Sequence, residues 1–104
     1  MQRSGDGIPA VTRLLGNAPN PFNPRTSIRF ETAGEGRVAI DVFDVRGRLV
    51  RRVADRVFPA GVHAVVWDGR DEAGGQPASG IYFSLLRTGG PGSPDQVRKM
   101  MLVR

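Results

Sequence analysis

The amino-acid sequence predicts an all-β fold, a sandwich of two antiparallel sheets. Short segments alternate apolar and polar residues at the period of two that half-buried strands show. The 14 glycines and 8 prolines separate these segments at short intervals, as turns between strands do. Evidence for helices is poor. A chain of 104 residues is long enough for one domain around a single core.

The first 25 residues are predicted to be a proline- and asparagine-rich lead-in or linker. Residues 17–24 hold three prolines, which fix φ at about −65° and cannot donate a ladder hydrogen bond. We therefore expect the sandwich domain to occupy residues 26–104. A first strand at residues 11–15 is possible within the lead-in.

Alternation and turn residues define the predicted strands in order. Six strands are predicted, at 26–31, from 38 to a tight turn at 44–47, and at 48–54, 63–67, 81–87 and 97–103. Polar or glycine- and proline-rich connections follow them, including residues 68–79 and 89–94. The inward side chains are predicted to be Ile28, Phe30, Val38, Ile40, Val42, Val65, Trp67, Tyr82 and Leu86.

The number of strands narrows the fold class. Six strands, or seven if residues 11–15 pair, predict an antiparallel immunoglobulin-like β-sandwich. The single tryptophan, Trp67, and Tyr82 are expected to have structural roles between the sheets. Gly47, Gly69 and Gly80 are expected to have structural roles at turns, where glycine tolerates positive φ.

Composition excludes several classes of function. The chain contains no cysteine, so a disulfide-stapled core and a thiolate metal or redox site are excluded. No apolar run approaches the roughly 20 residues that a membrane-spanning segment needs. Residues 1–7 lack the hydrophobic stretch of a signal peptide. We expect either that the chain is not secreted by its own N-terminus or that it is a piece of a longer exported protein.

The net charge of +5 raises nucleic acid as a partner. Only Lys99 of the 15 basic residues is a lysine, and the arginines are spread over most strands. No aromatic residues are interleaved with the local cluster, although basic grooves usually combine charge with stacking platforms. The pattern therefore argues against nucleic acid. The cluster consists of Arg46, Arg48, Arg51, Arg52 and Arg56.

Several motifs, in this order, resemble a known family. They are NPFNP at 20–24, VFDVRGR at 42–48, AGVH at 60–63, WDGRD at 67–71, Gly74, SGIYF at 79–83 and KMMLVR at 99–104. The combination resembles the Ig-like domain related to that of the flagellar hook-capping protein. It also resembles the C-terminal sorting domains of type IX secretion cargo. The likeness covers about residues 15–104.

The resemblance implies a non-catalytic Ig-like module at the C-terminus of a multidomain exported bacterial protein. It implies an extracellular or cell-surface location. The implied partners are secretion or surface-attachment machinery, or neighbouring domains of the parent protein. In sorting domains an outer-membrane translocon reads the fold, and the domain can then be cleaved off and replaced by a surface anchor.

The carboxylates of one loop could bind a metal ion or simply hydrogen-bond the backbone of their own loop. Asp68, Asp71 and Glu72 lie within five positions, and clustered oxygen ligands suit Ca²⁺. Their spacing is not that of an EF-hand, and such residues usually cap their own backbone. We expect capping, with no metal and no cofactor. His63 is the only histidine and has no accompanying nucleophile motif, so no enzymatic activity is expected.

Exposed aromatic residues are one candidate interaction surface. Alternation puts Trp67 and Tyr82 in the core and leaves Phe43, Phe58 and Phe83 as exposed aromatics. Phe43 and Phe83 on one outer face are expected to form a patch that docks a neighbouring domain or another copy.

The last strand is the other candidate surface. A strand at the margin of a sheet can pair with a partner. Arg98 and Arg104 are alternatively gatekeepers that discourage such pairing. The interaction residues predicted in this strand are Lys99, Met100, Met101, Leu102, Val103 and Arg104.

Three functions remain open from the sequence. The first is a non-catalytic module for sorting, surface attachment or anchoring of an exported bacterial protein. The second is a self-associating structural subunit, such as a hook-cap-like scaffold or an extracellular filament. The third is a carbohydrate-binding module whose aromatic side chains form a platform for sugar.

Overall fold

A computed structural model of the chain describes residues 11–88 and 95–104. The predicted loop at 89–94 and the first ten residues lie outside these ranges. Seven strands form in the described part, and every sheet pairing is antiparallel. The strands are β1 (Arg13–Ala18), β2 (Thr26–Thr32), β3 (Gly36–Asp44), β4 (Leu49–Phe58), β5 (Gly61–Trp67), β6 (Gly80–Thr88) and β7 (Gln96–Leu102).

The strands form two sheets that pack face to face. One sheet has the order β1-β2-β5, and the other has the order β4-β3-β6-β7. The chain crosses between the sheets after β2, after β4 and, through residues 68–79, after β5. The predicted immunoglobulin-like sandwich is confirmed.

Alternation places the core where the sequence predicts it. All nine predicted inward side chains are buried, and Ile28, Phe30, Ile40 and Val42 have no exposed surface. The prediction that Phe58 is exposed is wrong. β4 continues four residues beyond the predicted end at 54, which brings Phe58 to 3% exposure against Phe30, with ring centroids 5.0 Å apart.

Trp67 and Tyr82 tie the long connection between β5 and β6 to the core. The Trp67 indole N–H donates to the carbonyl of Arg70 at 2.9 Å, and its ring lies 5.6 Å from that of Tyr82. The Tyr82 hydroxyl donates to the carbonyl of Ala78, four residues upstream, at 2.6 Å. This bond near the start of β6 is the tyrosine corner of immunoglobulin-like sandwiches.

The sandwich begins earlier in the chain than the predicted boundary at Thr26. β1 pairs with β2 from Arg13 to Ala18, so the possible strand at 11–15 forms a few residues later. Phe22 is 1% exposed, and its ring lies 5.5 Å from that of Trp67. The prolines around Phe22 cannot donate to a sheet, but Phe22 itself is free to do so.

In the described ranges, no helix has the length and apolar composition to cross a membrane.

Candidate docking face

A row of side chains crosses the outer face of the four-stranded sheet. Phe43 on β3 lies directly opposite Phe83 on β6. Leu49 on β4 is opposite Phe43 on one side, and Lys99 on β7 is opposite Phe83 on the other. Val42 and Tyr82, the chain neighbours of Phe43 and Phe83, point into the core, so the two phenylalanine rings point outward. Leu49 and Lys99 are exposed on the same face. We call Leu49, Phe43, Phe83 and Lys99 the cross-sheet row.

Apolar side chains extend the cross-sheet row towards the lead-in. Met101 lies opposite Ile81 in the next outward position of β7 and is 41% exposed. A depression of about 230 Å³ adjoins them and is lined by Asn20, Pro21, Ile81, Lys99 and Met101. The outer face therefore has an apolar surface with a recess at one edge, a shape that suits contact with another protein surface.

An ion pair with a buried carboxylate lies beside the cross-sheet row. Asp41 points to the outer face, yet its side chain is only 2% exposed. Arg52 donates to its two carboxylate oxygens at 2.9 and 3.2 Å, and Arg87 lies 3.8 Å away on the other side. The pKa of Arg52 is raised, chiefly by its side-chain hydrogen bond to Asp41. The two arginines screen the carboxylate from solvent.

The last strand contributes only part of its side chains to the surface. Met100 and Leu102 have no exposed surface and belong to the core, so a partner can reach only their backbone. Lys99, Met101 and Val103 point outward. Of the six predicted interaction residues, two therefore belong to the core and four are exposed at the surface.

The outer edge of β7 is occupied by the lead-in. Phe22 forms a parallel bridge with Leu102. Its N–H donates to the carbonyl of Met101 at 3.0 Å, and its carbonyl accepts from the N–H of Val103 at 2.8 Å. The side chain of Asn20 accepts from the N–H of Met101 at 3.0 Å. A partner strand has to displace this segment before it pairs with the end of β7.

Three further hydrogen bonds connect side chains near the beginning of β7 to β1 and the residue before it. The side chain of Gln96 accepts from the N–H of Leu14 at 2.9 Å and donates to the carbonyl of Thr12 at 2.7 Å. Arg98 donates to the carbonyl of Leu14 at 3.2 Å. Arg98 thus binds β1, and the alternative that it discourages strand pairing stays a prediction.

Arg104 binds the long connection between β5 and β6. Its N–H donates to the hydroxyl of Ser79 at 2.9 Å, and its guanidinium donates to the carbonyls of Pro77 and Gly69. Gly69 has a φ of +78° and lies against Pro24. Positive φ is also found at Gly47 and Gly80, the other two predicted structural glycines.

The carboxylates of that connection bind the protein's own backbone. Asp68 accepts from the N–H of Arg70, and Asp71 accepts from the N–H groups of Ala73 and Gly75. Glu72 accepts from the N–H of Arg52. Within residues 11–88 and 95–104, no three histidine or carboxylate side chains converge as metal ligands.

Most of the arginine cluster is engaged with carboxylates. Arg48 pairs with Asp44 at 3.2 Å, and Arg51 lies 3.8 Å from both Asp68 and Glu72. The pKa of Asp44 is lowered, chiefly because its carboxylate accepts from the backbone N–H of Arg48. The surface around these arginines therefore carries both positive and negative charges, although the sequence alone shows a basic cluster.

His63 occupies a structural position at the edge of the core. Its ring lies 5.4 Å from that of Phe30 and 5.1 Å from that of Phe58. Its Nε2 lies 2.7 Å from the carbonyl of Pro59, within hydrogen-bond distance.

Asn20 and Phe22 are the site residues that sequence reasoning missed. Both lie in the segment interpreted as a linker. The sequence signal for burial was the large aromatic residue Phe22 among prolines and asparagines, because large aromatic side chains are usually buried and a solvated linker offers no core.

Comparisons with known proteins agree with this architecture. The FlgD Ig-like domain family matches residues 16–85. No curated protein sequence matches the chain. Dimeric latent PorU from Porphyromonas gingivalis superimposes with a TM-score of 0.73 at 22% identity, covering 97% of this chain and 10% of that one.

Two further solved structures share the fold. PorZ, an essential surface component of the type IX secretion system of P. gingivalis, gives a TM-score of 0.60 at 20% identity, over 97% of this chain and 13% of that one. FlgD from Xanthomonas campestris, which caps the flagellar hook, gives 0.57 at 19% identity, over 90% and 63%. The chain spans less than two thirds of each of these three. By its family match, the chain belongs to the FlgD Ig-like domain family.

Proposed function

We propose that the chain is a non-catalytic module that sorts, attaches or anchors a larger exported bacterial protein. It acts by being recognised on the outer face of the four-stranded sheet, at the extracellular side or cell surface. The observation that carries this proposal is the cross-sheet row of Leu49, Phe43, Phe83 and Lys99.

The chemistry of the row defines the partner. Phe43 and Phe83 are only half-buried, so two aromatic rings remain available for contact. Aromatic side chains contribute strongly at interfaces because they bury a large area with few rotatable bonds. Lys99 places one positive charge at the end of the row. The partner surface that fits is apolar with a carboxylate beside it.

The comparisons support a module of this kind. PorU and PorZ contain a domain of the same fold within much longer chains. PorZ is a component of type IX secretion. The proposed partners are accordingly secretion or surface-attachment machinery, or a neighbouring domain of the parent protein.

The proposal is tested in the parent protein, expressed in its own host. Phe83→Glu places a negative charge at the centre of the row and is expected to reduce the surface or secreted fraction at least several-fold. Val57→Glu is the matched control, because Val57 is 52% exposed at the opposite end of the same sheet. Immunoblotting of cell, surface and medium fractions measures the effect.

Two results contradict the proposal. One is normal export of the Phe83→Glu protein when circular dichroism shows a folded module. The other is an equal loss of export with Val57→Glu, which means that any charge on this sheet has the same effect.

The row also bears on carbohydrate binding. Because Trp67 and Tyr82 are buried, a sugar platform would have to use Phe43 and Phe83. Depletion of the wild-type chain from solution by an insoluble polysaccharide, abolished by Phe83→Glu, would favour that function instead.

A further inference from the structure

Three of the four sheet edges in the described part of the chain are protected. The β7 edge carries the Asn20–Phe22 contacts. β1 lies beside β7 and has a register irregularity between Leu14 and Gly16, which interrupts regular pairing. Bulges and covering segments are devices by which sheets avoid pairing with other chains.

The β4 edge is protected by charge and by a loop. Arg51, Arg52 and Arg56 lie along it. Glu72 accepts from the N–H of Arg52 and donates its own N–H to the carbonyl of Val50. A second strand that approaches this edge meets arginine side chains, and Glu72 already hydrogen-bonds the backbone of Val50 and Arg52.

Within the described ranges, the β5 edge has none of these protections. Between Gly61 and Trp67 there is no arginine, lysine, acidic residue or proline. Val62 and Val66 are 55% and 49% exposed, and Ala64 between them is exposed as well. Among residues 11–88 and 95–104, only β2 hydrogen-bonds to the backbone of residues 62–66. Such an edge is a template for another strand.

We propose that β5 pairs with β5 of a second copy of this chain, antiparallel and about a two-fold axis at Ala64. In that register Val62 faces Val66 of the second copy, and Ala64 faces Ala64. The strand is therefore complementary to itself: a small residue lies on the axis and a β-branched residue lies on each side. The two three-stranded sheets become one six-stranded sheet.

Charge opposes a second copy less at this edge than at the arginine-rich edge of β4. A chain of net charge +5 repels its own copies, and β5 adds no charged side chain to that repulsion. Arg29 on β2 is in register with Ala64. The two Arg29 side chains therefore lie three strand spacings apart, about 14 Å, beyond the screening length of about 8 Å at physiological salt.

The neighbouring rows also avoid like charges. Glu31 is in register with Val62, and Ser27 is in register with Val66. In the antiparallel pair, Glu31 of one copy thus shares a row with Ser27 of the other. No acidic pair is brought together.

Sedimentation equilibrium of the whole chain tests the pairing. The wild-type mass is expected to rise from 11.2 kDa towards twice that value with concentration. Val62→Lys with Val66→Lys is expected to weaken the association at least tenfold. Val97→Lys, at an equally exposed valine on β7, is the control and is expected to leave the association unchanged. A constant wild-type mass, or an unchanged dimer in the β5 variant, overturns the proposal.

Cross-linking checks the register independently of the lysine variants. Because the chain has no cysteine, Ala64→Cys introduces the only thiol, and the two-fold axis brings two such thiols within disulfide range. Mild oxidation is expected to give a covalent dimer at least tenfold faster than for Val97→Cys. Equal rates overturn the register. If the wild type is a monomer and dimerises only after removal of residues 1–10, that segment covers the β5 edge in place of a second copy. This result also overturns the proposal.

These results are separable from the proposed function. β5 and the cross-sheet row belong to different sheets. The β5 lysine variant is expected to be exported like the wild type, whereas Phe83→Glu is expected to dimerise normally.

Discussion

Arg52 binds both carboxylate oxygens of Asp41, and the two side chains differ sharply in exposure. The Asp41 side chain is 2% exposed, and that of Arg52 is 45% exposed. The buried Asp41 carboxylate therefore depends on Arg52 to stabilise its charge, whereas the Arg52 guanidinium is partly hydrated already. Two parallel charge-assisted hydrogen bonds also fix the geometry more strictly than a single contact does.

Removal of Arg52 is expected to destabilise the fold more than removal of Arg87. Arg52→Ala leaves the Asp41 carboxylate with a partner only at the 3.8 Å distance of Arg87, whereas Arg87→Ala leaves both short bonds intact. Arg52→Lys keeps the charge but not the paired geometry, and an intermediate loss is expected. Urea denaturation measures the three variants. A larger loss for Arg87→Ala would contradict this interpretation.

Gly69→Ala is expected to be more harmful than Gly74→Ala. Both glycines have positive φ, +78° and +87°, so each substitution costs about 1–2 kcal/mol in backbone conformation. A Cβ on Gly69 would also lie 2.6 Å from the carbonyl oxygen of Pro24, while one on Gly74 meets nothing within 4 Å. Steric strain of this kind adds about 1–3 kcal/mol. Equal unfolding free energies for the two variants would exclude a role for the Pro24 contact.

Tyr82→Phe is expected to lower stability at neutral pH by about 1 kcal/mol, the net value of one hydrogen bond. The hydroxyl bond to Ala78 is lost, and the ring stays in place between the sheets. A loss well above 3 kcal/mol would indicate that the substitution disturbs the packing of the ring as well.

The same residue is expected to give an alkaline pH dependence. Burial raises the pKa of Tyr82; Arg104 lowers it and Asp44 raises it further. The unfolded chain therefore loses the phenolic proton first, and stability falls as the pH rises above about 10. Thermal melting of wild type and Tyr82→Phe between neutral and alkaline pH measures the difference. The wild-type excess of stability should shrink with pH; a constant difference would contradict the assignment.

Asp44 is expected to give the opposite pH dependence. Its lowered pKa, due chiefly to the N–H of Arg48, means that the folded protein holds the carboxylate charged to lower pH than the unfolded chain does. This contribution is present above about pH 4 and is lost as the pH falls through the folded-state pKa. Asp44→Asn is expected to flatten the acid limb of the stability curve. An unchanged acid limb would exclude Asp44 as its source.

Phe22→Ala is expected to destabilise the domain by about 3–5 kcal/mol, as for a fully buried aromatic residue. Phe22 is 1% exposed against Trp67. Phe43→Ala, at a half-buried position of the cross-sheet row, is the comparison and is expected to cost less. Chemical denaturation measures both variants. A small effect at Phe22 would support the boundary at Thr26 that the sequence alone suggests.

The sandwich could be predicted because its core strands are buried on one face. Period-two alternation at Ile28 and Phe30, or at Val38 to Val42, is a direct record of which face is inward. β4 obeys this rule poorly because it is an edge strand with two register irregularities opposite β3. Arg51 and Arg52 are adjacent there, and the predicted end of the strand was correspondingly too early.

The candidate site was predictable in part. That Phe43 and Phe83 share an outer face follows from alternation; that they stand directly opposite follows only from the strand register. The covering of β7 was not predictable, since Phe22 pairs with Leu102 across 80 positions of sequence without any local pattern. Asn20 contributes through a side-chain oxygen, which carries no periodic signal at all.

The parallel bridge between Phe22 and Leu102 gives the domain a mechanical property. A pull applied backwards along the segment between β1 and β2 and forwards through Arg104 slides two parallel segments in opposite directions. The bonds of Phe22 to Met101 and Val103 then carry the load together, in shear, instead of opening one after another like a zipper. The segment that joins β1 to β2 is thereby held against the end of β7 by bonds that have to break together.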